Sequence, residues 1–247
     1  LHFTPGVDTS VASANPSPAI AAGVQPVAFA PTAPSAGTGA AQAVAPATAQ
    51  GGTVAAAGWD ALSKVPSVAE LAAQIVAVIS SRENVLGLER AQKRNVPAIA
   101  IVPKAFADNA AFNEALWEEI RKHKPDLVVL GGFMTLLRVP DDFMHRIMNV
   151  HPSLVPSFCG KGMFGHRVHE AVIEYGVRLS GVTVHFVDNE YDRGPIILQE
   201  AVPVFDSDSP ETLAQRVQAK ERELYPRAIQ LFATGRLKVD GRHVRIS

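Results

Sequence analysis

The chain has 247 residues, 47% of them hydrophobic and 19% charged, which is enough for one α/β domain with a buried core. Its 23 basic and 24 acidic residues give a formal net charge of −1, with no basic footprint for nucleic acid or an anionic membrane. The lone Cys159 excludes an internal disulfide and fits a reducing cytoplasm, and no apolar run is long enough to span a bilayer.

The chain opens on Leu1 rather than Met, which reads as a fragment or a processed product, without the basic and apolar regions of a signal peptide. Before Lys64 there is no Lys or Arg, and the acids are Asp8 and Asp60 alone. Residues 1–58 are mostly Ala, Pro, Gly, Ser, Thr and Val, with prolines interrupting every candidate element. Such a segment buries too little apolar surface to offset its ordering entropy, so it is expected to be disordered. The rival reading is a poorly formed first strand and helix of the domain that follows.

From Trp59 to the end at 247 the composition is globular. The apolar run at 74–79 reads as a strand covered on both faces. A short helix is expected at 86–94, a strand at 98–102 and a helix at 109–122. Leu127-Val128-Val129-Leu130 is a third strand ending in Gly131-Gly132, and 147–150 is a short strand running into His151-Pro152. Strands alternating with helices predict a Rossmann-like, mostly parallel sheet with helices on both faces. The β-rich stretches 182–187 and 196–204 flank a short acidic loop and predict an antiparallel C-terminal extension. A long amphipathic helix is expected at 209–232, with Ser209 as N-cap, Pro210 in the first turn and Gly235 as the stop.

Ligands of open α/β sheets bind beyond the carboxyl ends of the strands. Three segments end strands there: Gly131 to Met134, Asn149 to Pro152, and the acidic loop Asp188 to Gly194. Asn149 and His151 are two apart on a strand and point to one side. An amide donor and an imidazole placed so can flank a carbonyl, one donating to its oxygen and the other handling protons. A carboxylate from the acidic loop near His151 would raise its pKa and orient its ring. Taken singly, each motif is more often structural: a strand-end His beside Pro, and a solvated acidic turn.

Three strings in order change that balance: Asn149-x-His151-Pro152-Ser153-Leu154, Val184-His185-Phe186, and Asp192-x-Gly194-Pro195-Ile196-Ile197-Leu198-Gln199. Together they resemble the catalytic core of the folate-dependent formyltransferases, over about 73–237. Ser80-Ser81-Arg82, Gly87-Leu88-Glu89-Arg90-Ala91 and Leu130-Gly131-Gly132-Phe133-Met134 are most similar to the branch that acts on glycinamide ribonucleotide. The resemblance implies formyl transfer from 10-formyltetrahydrofolate, as co-substrate, to the glycinamide ribonucleotide amine in de novo purine biosynthesis, without a metal. It implies His151 as general acid/base, Asn149 as donor to the formyl oxygen, and Asp192 as the carboxylate that keeps the His151 pKa high. It places Met134, Thr135, Leu136 and Leu137 along the folate pocket, partly through backbone groups. It places Asn109 where relatives carry a folate-contacting Arg, and Glu221 against the amine substrate. His185 falls near the site. A cytoplasmic monomer or homodimer is implied, with small-molecule partners and no nucleic acid or membrane. A 10-formyltetrahydrofolate hydrolase and a non-catalytic folate-binding remnant are the alternatives.

His166 and His169 lie three apart on an expected helix and with Glu170 hint at a metal, but the order is not that of a zinc protease and no further ligand is evident, so they are read as no metal site. Cys159-Gly160-Lys161-Gly162 is read as a flexible loop near the site, and Cys159, lacking a base partner, as no nucleophile. The family's first strand and the Gly-rich phosphate loop that follows it are not recognisable; Ser35-Ala36-Gly37-Thr38-Gly39 is the nearest string.

Overall fold

The structure, a computed structural model, describes residues 25–30, 54–56 and 72–247. Its strands join one ten-stranded sheet. In chain order these are β1 (Gln25–Ala30), β2 (Val54–Ala56), β3 (Gln74–Ser80), β4 (Ala98–Ala100), β5 (Leu127–Leu130), β6 (Ile147–His151), β7 (Leu179–Phe186), β8 (Ile196–Pro203), β9 (Leu237–Asp240) and β10 (His243–Ile246). The helices are α1 (Leu86–Gln92), α2 (Asn109–Lys122), α3 (His166–Tyr175) and α4 (Pro210–Ala233).

The order across the sheet is β4-β3-β1-β5-β6-β7-β8-β10-β9, with β2 beside β1. Pairing is parallel for β3 with β4 and for β5 with β6. β1 lies between β3 and β5 and is antiparallel to both. Strands β4, β3, β5 and β6 therefore run the same way, and their carboxyl ends share one edge. The expected antiparallel extension is present as β6, β7 and β8.

The sheet buries one core on each face. In β5, Leu127 and Val129 join the core with α1, α3 and α4, while Val128 and Leu130 join the core with α2. The same alternation holds in β3, where Val78 faces one core and Ala77 and Ile79 the other. A strand buried on both sides needs apolar residues at every position, which is why 75–79 and 127–130 read as unbroken runs, while the exposed Gln74 opens β3.

Helix ends follow local chemistry. Asp108 caps α2 by accepting from Ala111 N at 2.8 Å. Ser209 and Thr212 form a reciprocal box at the start of α4, with Pro210 at the first position. The long helix ends at Ala233, two residues before Gly235, which has φ +68°.

Several details depart from the expectations. Gln25–Ala30 and Val54–Ala56, inside the segment expected to be disordered, are strands of the sheet. The position between β3 and β5 leaves both with unmet ladder groups, and a short β-branched and aromatic stretch such as Val27-Ala28-Phe29 can satisfy them. The rest of 1–58, including Ser35 to Gly39, lies outside the described residues. The hairpin of β9 and β10 was not anticipated, because four-residue strands of mixed polarity carry little periodic signal.

Candidate active site

The three catalytic candidates come together at the end of β6. Asn149 pairs across β6 and β7 with His185, and His151 with Thr183. Residues at i and i+2 share a face, so Asn149, His151 and His185 converge on one side of the sheet. Asp192 arrives from the loop between β7 and β8. Its own backbone is left-handed, with φ +54°, which turns its carboxylate back toward the strands.

The polar contacts are specific. Asp192 Oδ2 lies 3.5 Å from His151 Nδ1 and accepts from Gly160 N at 2.9 Å. Asp192 Oδ1 accepts from Asn149 Nδ2 at 3.4 Å. The same amide nitrogen lies 3.4 Å from His185 Nε2. His185 Nδ1 faces its neighbour's carbonyl, Phe186 O, at 2.8 Å. A carbonyl only accepts, so Nδ1 carries a proton there, and Nε2 also lies 3.7 Å from Asp192 Oδ1. His151 Nε2 lies 2.8 Å from Phe158 O. A carbonyl only accepts, so Nε2 carries a proton in this arrangement.

Burial sets the charge states. His151 is 3% exposed and its side chain is enclosed. Desolvation pulls its pKa below the ordinary value; Asp192 and the Phe158 carbonyl oppose this, while His185 adds to it. Asp192 thus pushes in the expected direction, but burial outweighs it. Burial likewise pushes the Asp192 carboxyl up, yet His185, His151 and the Gly160 N–H together hold it below its usual range. Burial thus favours the neutral imidazole, while the polar neighbours of Asp192 favour its carboxylate.

A second layer fixes the backbone after His151. Thr183 Oγ1 donates to Ser153 O at 2.7 Å and accepts from Val155 N at 3.0 Å and Gln199 Nε2 at 2.8 Å. Gln199 also donates to Val155 O at 2.9 Å. Ser153 Oγ donates to Ser157 O at 2.6 Å. This explains why Ser153 and Gln199 accompany the reactive groups in the motifs. Gly194 has its own reason: a Cβ there would sit 1.7 Å from Phe186 O. Only glycine permits the approach that lets Phe186 N donate to Pro195 O at 2.8 Å.

The other expected site residues are more scattered. Met134 and Thr135 border a cavity of about 620 Å³ beyond the ends of β3, β4 and β5. Met134 is exposed, as is Leu136. Leu137 is 4% exposed and packs into the α2-side core, so only its backbone is free to meet a ligand. Asn109 begins α2, and its Oδ1 accepts from Asn113 Nδ2 at 2.9 Å. Glu221 is half-buried on α4, and no hydrogen bond joins it to the three catalytic candidates among the described residues. Burial pushes its pKa up to about 7, opposed by Arg222. One turn later, Tyr225 donates to Leu130 O at 2.6 Å and Met148 O at 3.1 Å, tying that stretch of α4 to β5 and β6.

Two further asparagines, outside the expected set, hold the segment that follows β5. Asn113 accepts from Arg138 N at 2.8 Å, and Asn189 from Val139 N at 2.8 Å. They tie the 134–139 segment to α2 and to the acidic loop. Asn113 left a readable trace, as a polar residue on the buried face beside Phe112 and Leu116. Asn189 left none, because it sits among other polar loop residues.

The histidines of α3 do not converge. His166 is exposed and lies 3.1 Å from Glu211, while His169 is buried with Nδ1 unpartnered and its pKa pulled down to about 4 by burial and the nearby His166 and His151. Among the described residues no group of three or more His, Cys, Asp or Glu is placed to hold a metal ion. Burial first, then Asp192, pushes the Cys159 thiol up, which disfavours a thiolate. Among the described residues no helix is long and apolar enough to cross a membrane.

Comparison with known proteins agrees with this geometry. Residues 45–229 match the formyl transferase family, from a point ahead of the boundary at 59 drawn on composition. The chain is 43% identical over 169 residues to the trifunctional purine biosynthetic protein adenosine-3 of Bos taurus, covering 68% of this chain but 16% of that protein. It is 39% identical over 165 residues to phosphoribosylglycinamide formyltransferase of Escherichia coli, covering 66% of this chain and 76% of that enzyme. The crystal structure of glycinamide ribonucleotide transformylase 1 from Symbiobacterium toebii superposes with a TM-score of 0.65 at 45% identity, over 70% of this chain and 80% of that one. On the match over most of its length, the chain belongs to the formyl transferase family.

Proposed function

We propose that this chain transfers the formyl group of 10-formyltetrahydrofolate to the amine of glycinamide ribonucleotide, a step of purine synthesis. The observation that carries the reading is the cluster at the end of β6, where Asp192 accepts from Asn149 and lies 3.5 Å from the buried His151 ring. Family membership and the names of its relatives support it.

In this reading the amine nitrogen attacks the formyl carbon. The carbonyl electron pair moves to oxygen, and a tetrahedral intermediate forms. Asn149 Nδ2 turns from Asp192 to donate to that oxygen. His151 Nε2–H, released from Phe158 O, supplies the second donor. The imidazole takes up the proton that the attacking amine loses, and the protonated ring then gives a proton to the folate nitrogen as its bond to the formyl carbon breaks. Asp192 keeps the ring oriented and stabilises its protonated form. Preorganised donors in a desolvated site act most strongly where charge develops. Met134, Thr135 and the backbone of 136–137 would border the folate, Asn109 would lie toward its far end, and Glu221 would face the amine substrate. The chemistry is that of small molecules in the cytoplasm, by a monomer or homodimer.

The test is to incubate the purified chain with both substrates and follow tetrahydrofolate release beside His151→Ala. Amine-dependent release is expected, falling by about a thousandfold in the variant, within the range for loss of a general acid/base. Release that does not need the amine would identify a hydrolase. Folate binding with no release would mean that the fold persists without turnover.

A further inference from the structure

The 620 Å³ cavity beyond β3, β4 and β5 is not accounted for by the three catalytic residues. Two basic side chains line it, Arg82 and Lys104. Both are exposed, and among the described residues no carboxylate lies within ion-pair distance of either. Glu83 is the acid on the wall, so two cations face one anion there.

The backbone brings the two cations to the ends of adjacent strands. β3 and β4 are parallel with Ser80 opposite Ala100, and Ile101 N donates to Ser80 O at 2.7 Å. Arg82 follows Ser80 by two residues. The buried Ser80 hydroxyl accepts from Arg82 N at 2.8 Å and donates to Arg82 O, locking the turn that carries the guanidinium. Lys104 sits in a 3₁₀ turn opened by Pro103. The opposite wall is Met134 and Thr135, at the end of β5, next to the strand that bears Asn149 and His151. A ligand reaching from the reacting centre past Met134 would meet the two cations.

We infer that Arg82 and Lys104 receive the dianionic end of a substrate in this cavity, a phosphate monoester or a glutamyl dicarboxylate. The inference rests on the proposed reaction, whose two substrates each carry one such group. A guanidinium fork beside a flexible ammonium suits either oxyanion.

The test measures binding without turnover, so it does not depend on formyl transfer. The probes are ribose 5-phosphate, and folate beside pteroate, which has the same ring system without the glutamate. Each is titrated into the wild-type chain and into Arg82→Gln, Lys104→Gln and the double variant. The double variant is expected to bind one anionic probe more weakly by on the order of tenfold or more, with the difference shrinking in high salt. Weakening of ribose 5-phosphate alone identifies the phosphate as the ligand. Weakening of folate but not pteroate identifies the glutamyl tail. Arg82→Lys should retain most of the affinity. Unchanged binding of both anionic probes, equal loss for folate and pteroate, or no binding to the wild type overturns the inference. Charge-dependent binding without formyl transfer by the wild type would sink the proposed reaction and leave this assignment standing.

Discussion

At the end of β6, His151 and His185 are 3% and 2% exposed, and each ring nitrogen faces a named partner. At the ends of β3 and β4, on the same edge of the same sheet, Arg82 and Lys104 are exposed, and among the described residues no carboxylate lies within ion-pair distance of either. The two regions meet opposite demands. Moving a proton needs a group whose pKa and orientation are set in advance, and that takes burial and fixed neighbours. Holding the charged end of a diffusing molecule needs long-reaching cations that keep their charge whether the site is filled or empty. Rigidity is therefore concentrated around β6 and β7, in the layer of Thr183, Ser153, Gln199 and Gly194.

That contrast is broken most severely by Gly194→Ala. The new methyl group would collide with Phe186 O and force the acidic loop off β7, so a stability loss of about 3 kcal/mol is expected. Urea unfolding reads this directly, and a melt unchanged from wild type would show that the loop moves freely. Asp192→Asn is expected to be milder. Removing the carboxylate takes away an influence that raises the His151 pKa, so the imidazole should titrate lower still. The stability of the fold with a neutral ring is fully present above the ordinary histidine value and is lost as pH falls from there through the lowered one. Activity at neutral pH should drop by about thirtyfold, or roughly 2 kcal/mol of barrier, because the protonated ring is harder to form. An unaltered His151 titration by NMR would disconnect the pair.

A smaller effect is expected at Glu221, and it is a gain. The fold raises its pKa from 4.5 to about 7, so the protonated form is the one the fold favours. That stability is fully present below pH 4.5 and is lost as pH rises through about 7. Glu221→Gln should therefore match the wild type near pH 4 and exceed it near pH 8 by about 2 kcal/mol after allowance for partial exposure. An equal gap at both pH values would show that the carboxyl is solvated. The two cations can be neutralised with little change in stability by the same logic, since exposed and unpaired charges contribute little to the fold.

Much of this was legible along the chain. The unbroken apolar runs of β3 and β5, the capping of α2 and α4, and the antiparallel pair after β6 follow from periodicity and local chemistry, which depend on near neighbours. The spacing of Asn149 and His151 placed them on one face. The three ordered motifs brought in Asp192 and His185, which no local pattern would have joined. What lies beyond reach in one dimension is whatever depends on distant partners. Which stretch of a Pro- and Ala-rich segment enters the sheet depends on the ladder groups that β3 and β5 leave open. Whether the His151 pKa rises or falls depends on how completely 152–165 and the neighbouring strands exclude water. Asn189 gains its role only when Val139, fifty residues away, is brought against it. Sequence by itself determined most of the elements, the family and the candidate site residues, because those are matters of residue type and spacing. Tertiary structure alone decided the reversed β1, the balance of burial over charge at His151, and the meeting of Arg82 and Lys104 in one cavity, because each is a sum over groups far apart in the chain.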